Sequence, residues 1–118
     1  MSALNRDLAS LWDMNQAIID LQSFLGNITY EDYEDNLLPH RAIERELEIL
    51  GEAARRLSPQ LRNQHPEIDW KGIIGIRNVI AHQYEEVRIE RIWEIIQTDI
   101  PILKAQLQPL LPQEHQQE

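Results

Sequence analysis

Four side chains in one stretch of the chain have types that bind and cleave phosphate esters: Arg77, Asn78, His82 and Tyr84. An arginine guanidinium binds phosphate oxygens through a planar fork of donors, and an asparagine amide can donate to a further oxygen. Histidine has the unperturbed pKa best suited to proton transfer near neutral pH. The residue types therefore favour phosphodiester chemistry.

A helix from Trp70 to about Gln83, with Asp69 as its N-cap, is predicted to position these groups. At about 100° per residue, Asn78 and His82 stack as an i, i+4 pair. Arg77 stacks with Tyr84 at i, i+7 if the helix persists that far. The opposite arc is almost wholly apolar, with Ile73, Ile76, Val79 and Ile80.

The predicted arc contains no acidic residue, so we expect no metal site there and no cofactor. RNA can be cleaved without a metal, because its 2′-hydroxyl attacks the adjacent phosphodiester when a base and an acid transfer the protons. One His82 supplies one of these roles, and a two-fold dimer would add a second. Residue types alone leave open a solvated helix surface or a satisfied hydrogen-bond network. Gly72 and Gly75 fit either close ligand approach or tight packing.

Helical periodicity extends along nearly the whole chain. The first helix is predicted from about Ser2 to Gly26 and the second from near Pro39 to Leu57. Between them, residues 29–36 form an acidic connector with two tyrosines, expected as a solvated loop, a turn or a short helix. A fourth pattern ends at an expected cap, Asp99, and the last helix then runs to Pro112.

No segment alternates with period two, so the predicted class is all-α. We expect an up-and-down bundle of four to five helices. A single domain is predicted over residues 1–112, followed by a polar, frayed tail over residues 113–118.

The 118 residues include no cysteine and carry a net charge of −9. The lack of cysteine excludes disulfide frameworks, cysteine zinc sites and thiol nucleophiles, and it fits the reducing cytoplasm. No apolar run approaches the roughly 18 residues of a membrane span, and the first residues contain no signal-peptide core. We therefore expect a cytoplasmic protein with no membrane association.

The acidic charge is unevenly distributed. Residues 1–36 have a net charge of −6 and residues 66–118 of −4, whereas residues 37–65 have +1. An acidic surface disfavours non-specific nucleic-acid binding, but the middle segment could face an anion. Its candidate RNA-binding residues are Arg45, Arg55 and Arg56. The remaining histidines, His40, His65 and His115, match no zinc spacing and are expected to be exposed.

The order Arg77-Asn78-x-x-x-His82-x-Tyr84 resembles the Arg-x4-His-x-Tyr motif of the HEPN superfamily, specifically its HepT-like toxins. Three flanking blocks, residues 45–57, 65–70 and 87–103, also resemble that family in order. The resemblance covers residues 4–107, and the motif together with its flanking blocks is far more specific than the motif alone.

The resemblance implies a HEPN-type fold and a metal-independent ribonuclease, the toxin of a toxin–antitoxin pair, and we expect tRNA or another structured RNA as its substrate. It implies a homodimer with two motifs in one cleft, and an MntA-like nucleotidyltransferase antitoxin as the partner. Arg77 would polarise the scissile phosphate, Asn78 would orient it and His82 would transfer protons. Tyr84 would accept AMP. The alternatives are a non-catalytic scaffold of the same fold that binds a nucleotide or supports dimerisation, and a helical partner-binding module unrelated to RNA.

Overall fold

The computed structural model describes residues 2–112, so the predicted tail over residues 113–118 lies outside the described part. Within residues 2–112 every regular element is helical, and the prediction of an all-α bundle is confirmed. The helices are α1 (Ala3–Leu25), α2 (Tyr30–Asp35), α3 (Leu37–Arg55), α4 (Pro59–Gln64), α5 (Trp70–His82), α6 (Glu85–Glu94) and α7 (Ile100–Leu107). None of these described helices is long and apolar enough to cross a membrane.

Helix α1 forms where the sequence predicts it. Ser2 caps its start by accepting a hydrogen bond from the Asn5 amide at 3.2 Å. Gly26 ends it with a φ of 54°, a left-handed value that glycine adopts without steric cost. The predicted stripe is buried from Leu11 onward, whereas Leu4, in the first turn, is 65% exposed.

The core lies mainly between α1 and α3. The α3 stripe is buried throughout, with Ile43, Leu47, Leu50 and Ala54 completely inaccessible to solvent. Helix α5 crosses α3 at Gly51, where a Cβ atom would lie 3.1 Å from the Ile73 carbonyl oxygen. The close approach that Gly72 and Gly75 suggested is therefore made by a glycine on the facing helix.

Helix α4 is fixed to α1 by a buried carboxylate. Asp7, which is 6% exposed, accepts hydrogen bonds from the Ser58 amide at 2.9 Å and the Ser58 hydroxyl at 2.6 Å. The same hydroxyl accepts from the Leu61 amide, as an N-cap does. This arrangement holds α4 at one side of the following helix, α5.

The predicted break at Asp99 is wrong. Helix α6 continues through a π-helical turn, Ile95–Asp99, directly into α7, and Asp99 has helical dihedral angles with no capping hydrogen bond. The Ile100 amide donates to the Ile95 carbonyl, five residues back. Pro101 has no N–H to donate, and it falls in the first turn of α7, where the wider π-turn accommodates it. A 3-10 turn, Gln108–Leu110, follows.

Candidate active site

Helix α5 is most deeply buried in its first half, while Arg77, Asn78 and His82 of its second half are exposed. Its start is capped by Asp69, whose carboxylate accepts from the Gly72 amide at 3.0 Å, as predicted. Trp70, Ile73 and Ile76 anchor this half in the core, and the Trp70 indole donates to the His65 carbonyl at 3.0 Å. The candidate catalytic residues follow directly after this anchored half, so a rigid base positions them.

Arg77, Asn78 and His82 all lie on α5 with exposed side chains. Asn78 and His82 are one turn apart, which places their Cβ atoms about 6 Å from each other. Among residues 2–112, none of the three side chains forms a hydrogen bond or ion pair. The amide, imidazole and guanidinium are therefore free to bind an anion that approaches α5 from solvent.

Tyr84 does not continue this face, so its predicted i, i+7 stacking with Arg77 is wrong. Helix α5 ends at His82, and Gln83 is extended, with φ −87° and ψ 147°. Tyr84 is instead the N-cap of α6, followed by Glu85 and Glu86, whose charges favour a helix N-terminus. Its side chain is 87% exposed. Tyr84 thus projects from the α5–α6 connection, two residues beyond His82.

The exposed face of α3 lies beside Arg77. A hydrogen bond from Arg55 lowers the pKa of the Glu52 carboxyl, and the positive charges of Arg55, Arg56 and Arg77 lower it further. The Arg55–Glu52 contact is 2.7 Å, with both side chains largely exposed. Glu52 is therefore ionised at neutral pH, and its charge partly offsets the positive potential near Arg77.

The three arginines predicted to bind RNA differ in their surroundings. Arg55 is paired with Glu52 near Arg77, whereas Arg56 reaches Asp13 of α1 at 3.5 Å. Arg45 is exposed and forms no ion pair within the described chain. It lies seven residues before Glu52, about 10 Å along α3. Arg55 and Arg56 thus both lie near enough to act on Glu52, as Arg77 does, whereas no such link is seen for Arg45.

In residues 2–112, no three His, Asp or Glu side chains come together in a group that could hold a metal ion. The donors gathered on α5 are a guanidinium, an amide and an imidazole, a set that suits an anion better than a cation.

Comparison with known proteins identifies the family. The Ribonuclease HepT-like family profile matches residues 14–110. The chain belongs to the HepT-like ribonuclease family. A probable ribonuclease HepT of Thermococcus cleftensis is 32% identical over 100 residues, which is 85% of this chain and 91% of that protein. A candidate RNase of Methanocaldococcus jannaschii is 31% identical over 100 residues, covering 85% and 92% of the two chains.

A candidate RNase of Caldanaerobacter subterraneus is 38% identical over 87 residues, covering 74% of this chain and 78% of that protein. No solved structure matches the chain. Membership in the HepT-like family confirms the resemblance seen in the motif and its flanking blocks, and it supports a ribonuclease activity. The assignment of roles to Arg77, Asn78, His82 and Tyr84 stays a prediction.

Sequence reasoning missed a buried polar cluster near the start of α3. His40, expected to be exposed, is 5% exposed, and its ring centroid lies 4.7 Å from that of Tyr33. Tyr33, placed in a solvated connector, is completely buried. Glu44 beside them accepts from Arg88 of α6 at 3.1 Å. His40 and Glu44 precede Leu47 by seven and three residues, so helical spacing alone could have placed both on the buried stripe.

Proposed function

We propose that this protein is a metal-independent endoribonuclease, the toxin of a toxin–antitoxin pair. One observation carries the proposal: Arg77, Asn78 and His82 share the exposed end of a well-anchored helix and have no bonded partner within the described chain. These exposed donors and acceptors remain available to a ligand, whereas the buried charge of Glu44 is already paired with Arg88.

In the proposed reaction, the RNA 2′-hydroxyl oxygen attacks the adjacent phosphorus, and the bond to the 5′ oxygen of the next nucleotide breaks. The Arg77 guanidinium binds the non-bridging oxygens and stabilises their growing charge. Asn78 donates to the same phosphate. His82 removes the 2′ proton or protonates the leaving oxygen. The products are a 2′,3′-cyclic phosphate and a 5′-hydroxyl.

A homodimer completes this chemistry. The reaction needs both a base and an acid, and the motif supplies one His82 for each chain. A two-fold axis next to the exposed end of α5 would place two copies of His82 in one cleft. One copy would accept the 2′ proton and the other would donate to the leaving oxygen.

The substrate is proposed to be a folded RNA, with tRNA as the first candidate. The net charge of −9 opposes indiscriminate binding to phosphate backbones. Positive charge without an ion-pair partner lies close to the motif. An RNA must therefore bring its backbone to this place, which requires that it fit the shape of the cleft between the two protomers. A folded RNA with an exposed loop presents its backbone in that way.

Tyr84 is proposed as the site at which an MntA-like nucleotidyltransferase antitoxin inactivates the enzyme. The tyrosine oxygen would attack the α-phosphorus of ATP, the α–β bond would break, and pyrophosphate would leave. The 87% exposure of Tyr84 leaves its side chain accessible to a transferase. The attached AMP would bring a phosphodiester anion next to the cleft and block the substrate phosphate.

The test of this function incubates purified protein with total cellular RNA in excess EDTA, and the ends of the products are then determined. We expect cleavage with 5′-hydroxyl and cyclic phosphate ends. No cleavage by the unmodified protein would favour a non-catalytic scaffold that binds a nucleotide or supports dimerisation.

A second experiment tests the regulation. The Tyr84→Phe protein should cleave RNA as the unaltered protein does, but it should remain active after incubation with the transferase and ATP. Loss of activity of both proteins to the same extent would contradict control through Tyr84. The transferase without ATP is the control for inhibition by simple binding.

A further inference from the structure

A basin of approximately 790 Å³ lies between α4 and the first half of α5. Its lining includes Arg62 and Asn63 of α4 and Trp70, Lys71, Ile74 and Asn78 of α5. Asn78 also belongs to the candidate catalytic face, so the basin and that face form one continuous surface. A ligand bound at Arg77 and His82 could therefore extend past Asn78 into the basin.

Helical spacing aligns the basin with the candidate catalytic residues. Lys71 precedes Asn78 by seven residues, which places both on one side of α5 about 10 Å apart. His82 follows Asn78 by one further turn. All three side chains are exposed. The strip from His82 through Asn78 to Lys71 therefore runs from the candidate site along α5, with α4 on its flank.

The cations of the basin are uncommitted. Elsewhere Arg55, Arg56, Arg88 and Arg91 each lie within 3.5 Å of a carboxylate. Within residues 2–112, neither Arg62 nor Lys71 has an ion-pair partner, and the buried Nε of Arg62 has no acceptor. Two such cations lining one basin, in a protein with a net charge of −9, offer a place for an external anion.

The one carboxylate in the described lining is already engaged, because Asp69 accepts from the Gly72 amide as the cap of α5. Trp70 is 8% exposed and donates to the His65 carbonyl, so it forms the floor of the basin and is not free to stack on a base. Asp69 is itself exposed, but the other polar side chains of the lining that reach solvent most fully, Asn63, Lys71 and Asn78, are cationic or amide donors, and such donors bind phosphates independently of base sequence.

We propose that this basin holds the RNA strand that flanks the cleaved bond, with Arg62 and Lys71 binding backbone phosphates and Asn78 linking them to the candidate site. This inference rests on the proposed ribonuclease function and adds a substrate-binding subsite to it. The connection between α1 and α4 through Asp7 and Ser58 holds Arg62 in place before RNA arrives.

Binding to a short single-stranded RNA of mixed sequence tests the subsite, measured on His82→Ala protein so that the RNA stays intact. Arg62→Gln/Lys71→Gln should weaken binding about tenfold and reduce the slope of log K against log salt by about 1.4. The matched control, Arg91→Gln/Lys104→Gln, makes the same change in net charge away from the basin. It should leave affinity and slope nearly unchanged.

Equal weakening by the two double variants would show a general charge effect and overturn the subsite. If Arg62→Gln lowers the Tm, the double variant is replaced by a single one. The RNA affinity and salt slope of Lys71→Gln are then compared with those of its control, Lys104→Gln. In protein with His82 intact, the basin variant should lose about tenfold in kcat/KM on the RNA strand but nothing on ribodinucleoside monophosphates. Failure of the unaltered protein to cleave total cellular RNA would reject the proposed function, while the binding comparison would still decide the subsite.

Discussion

Two carboxylates of α3, Glu44 and Glu52, lie about two turns apart. Each forms an ion pair with an arginine, but the pair of Glu44 is largely buried and that of Glu52 is exposed. Glu44 is 6% exposed and bonds to Arg88 at 3.1 Å, close to the buried ring of Tyr33. Glu52 bonds to Arg55 at the surface, and Arg77 beside it stays free of ion pairs within residues 2–112. One helix thus supports a closed polar cluster at one place and an open cationic site at the other.

The difference shows how to separate structural from functional charge in this fold. A buried charge without a partner is costly, so the buried Glu44 carboxylate is paired with Arg88. Exposed groups on α5 pay no such penalty and remain available for a ligand. Mutations should therefore affect stability in the closed region and activity in the open one.

The largest effect on stability is expected from Arg88→Leu. This change leaves Glu44 buried without its cation and should cost about 3 kcal/mol or more of unfolding free energy, measured by urea denaturation. The double variant Glu44→Leu/Arg88→Leu should recover most of the loss, because no buried charge remains unpaired. A single variant as stable as the unaltered protein would show that the pair does not hold α6 against α3.

Arg77→Ala should show the opposite pattern. We expect kcat/KM for RNA to fall by roughly 100- to 1000-fold, with the unfolding free energy changed by no more than about 0.5 kcal/mol. Arg77→Lys should recover part of the activity, since it keeps the charge but loses the planar fork. Arg91→Ala, an exposed arginine elsewhere, is the control, and an equal loss there would contradict a specific role for Arg77.

Tyr33→Phe tests the contribution of a single hydroxyl inside the buried cluster around Glu44. Within the described chain the buried Tyr33 hydroxyl has no hydrogen-bond partner, so its removal should leave stability at pH 7 unchanged or raise it by up to about 1 kcal/mol. Burial raises the pKa of Tyr33 above 10.0, with the negative charge of Glu44 adding to the shift.

The raised pKa also predicts a pH dependence. The folded state binds the phenolic proton more tightly than the unfolded state, so this contribution to stability is full below pH 10.0 and is lost as the pH rises above it. Tyr33→Phe should reduce the alkaline decline in urea titrations, whereas Tyr84→Phe, an exposed control, should not. If stability falls equally steeply with alkaline pH in the unaltered protein, Tyr33→Phe and Tyr84→Phe, groups other than these tyrosines cause the loss.

Glu52→Gln is expected to have the smallest effect. Loss of this exposed ion pair should leave stability nearly unchanged. RNA affinity, measured on His82→Ala protein, should rise about two- to threefold because a negative charge beside Arg77 is removed and Arg55 is released. Glu48→Gln makes the same charge change one turn away, and an equal gain there would show that proximity to Arg77 is irrelevant.

Local patterns in the sequence predict most of the helices and the face shared by Arg77, Asn78 and His82. Caps and stops such as Asp69 and Gly26 depend on neighbouring residues, so they can be identified without the fold. The errors occur where distant contacts or competing local signals decide. Tyr33 is buried by Trp93, whose ring lies 5.4 Å away, and no local spacing connects residues so far apart in the chain.

The conformations of Tyr84 and Asp99 depend on whether one helix continues into the next or ends before it. Hydrophobic periodicity does not distinguish these two cases. Gln83 becomes extended and allows α6 to begin anew, whereas a π-turn carries α6 into α7 despite Pro101. The basin beside α4 likewise required the fold, because Arg62 and Lys71 belong to different helices.

The most direct test of the account compares His82→Ala with the unaltered protein in two measurements on the same preparation, the Tm and the single-turnover rate of RNA cleavage in excess EDTA. We predict an unchanged Tm and a rate at least about 100-fold lower, because His82 is exposed and is proposed to transfer a proton. Cleavage at the rate of the unaltered protein would contradict the assignment of the open face of α5 as the catalytic site.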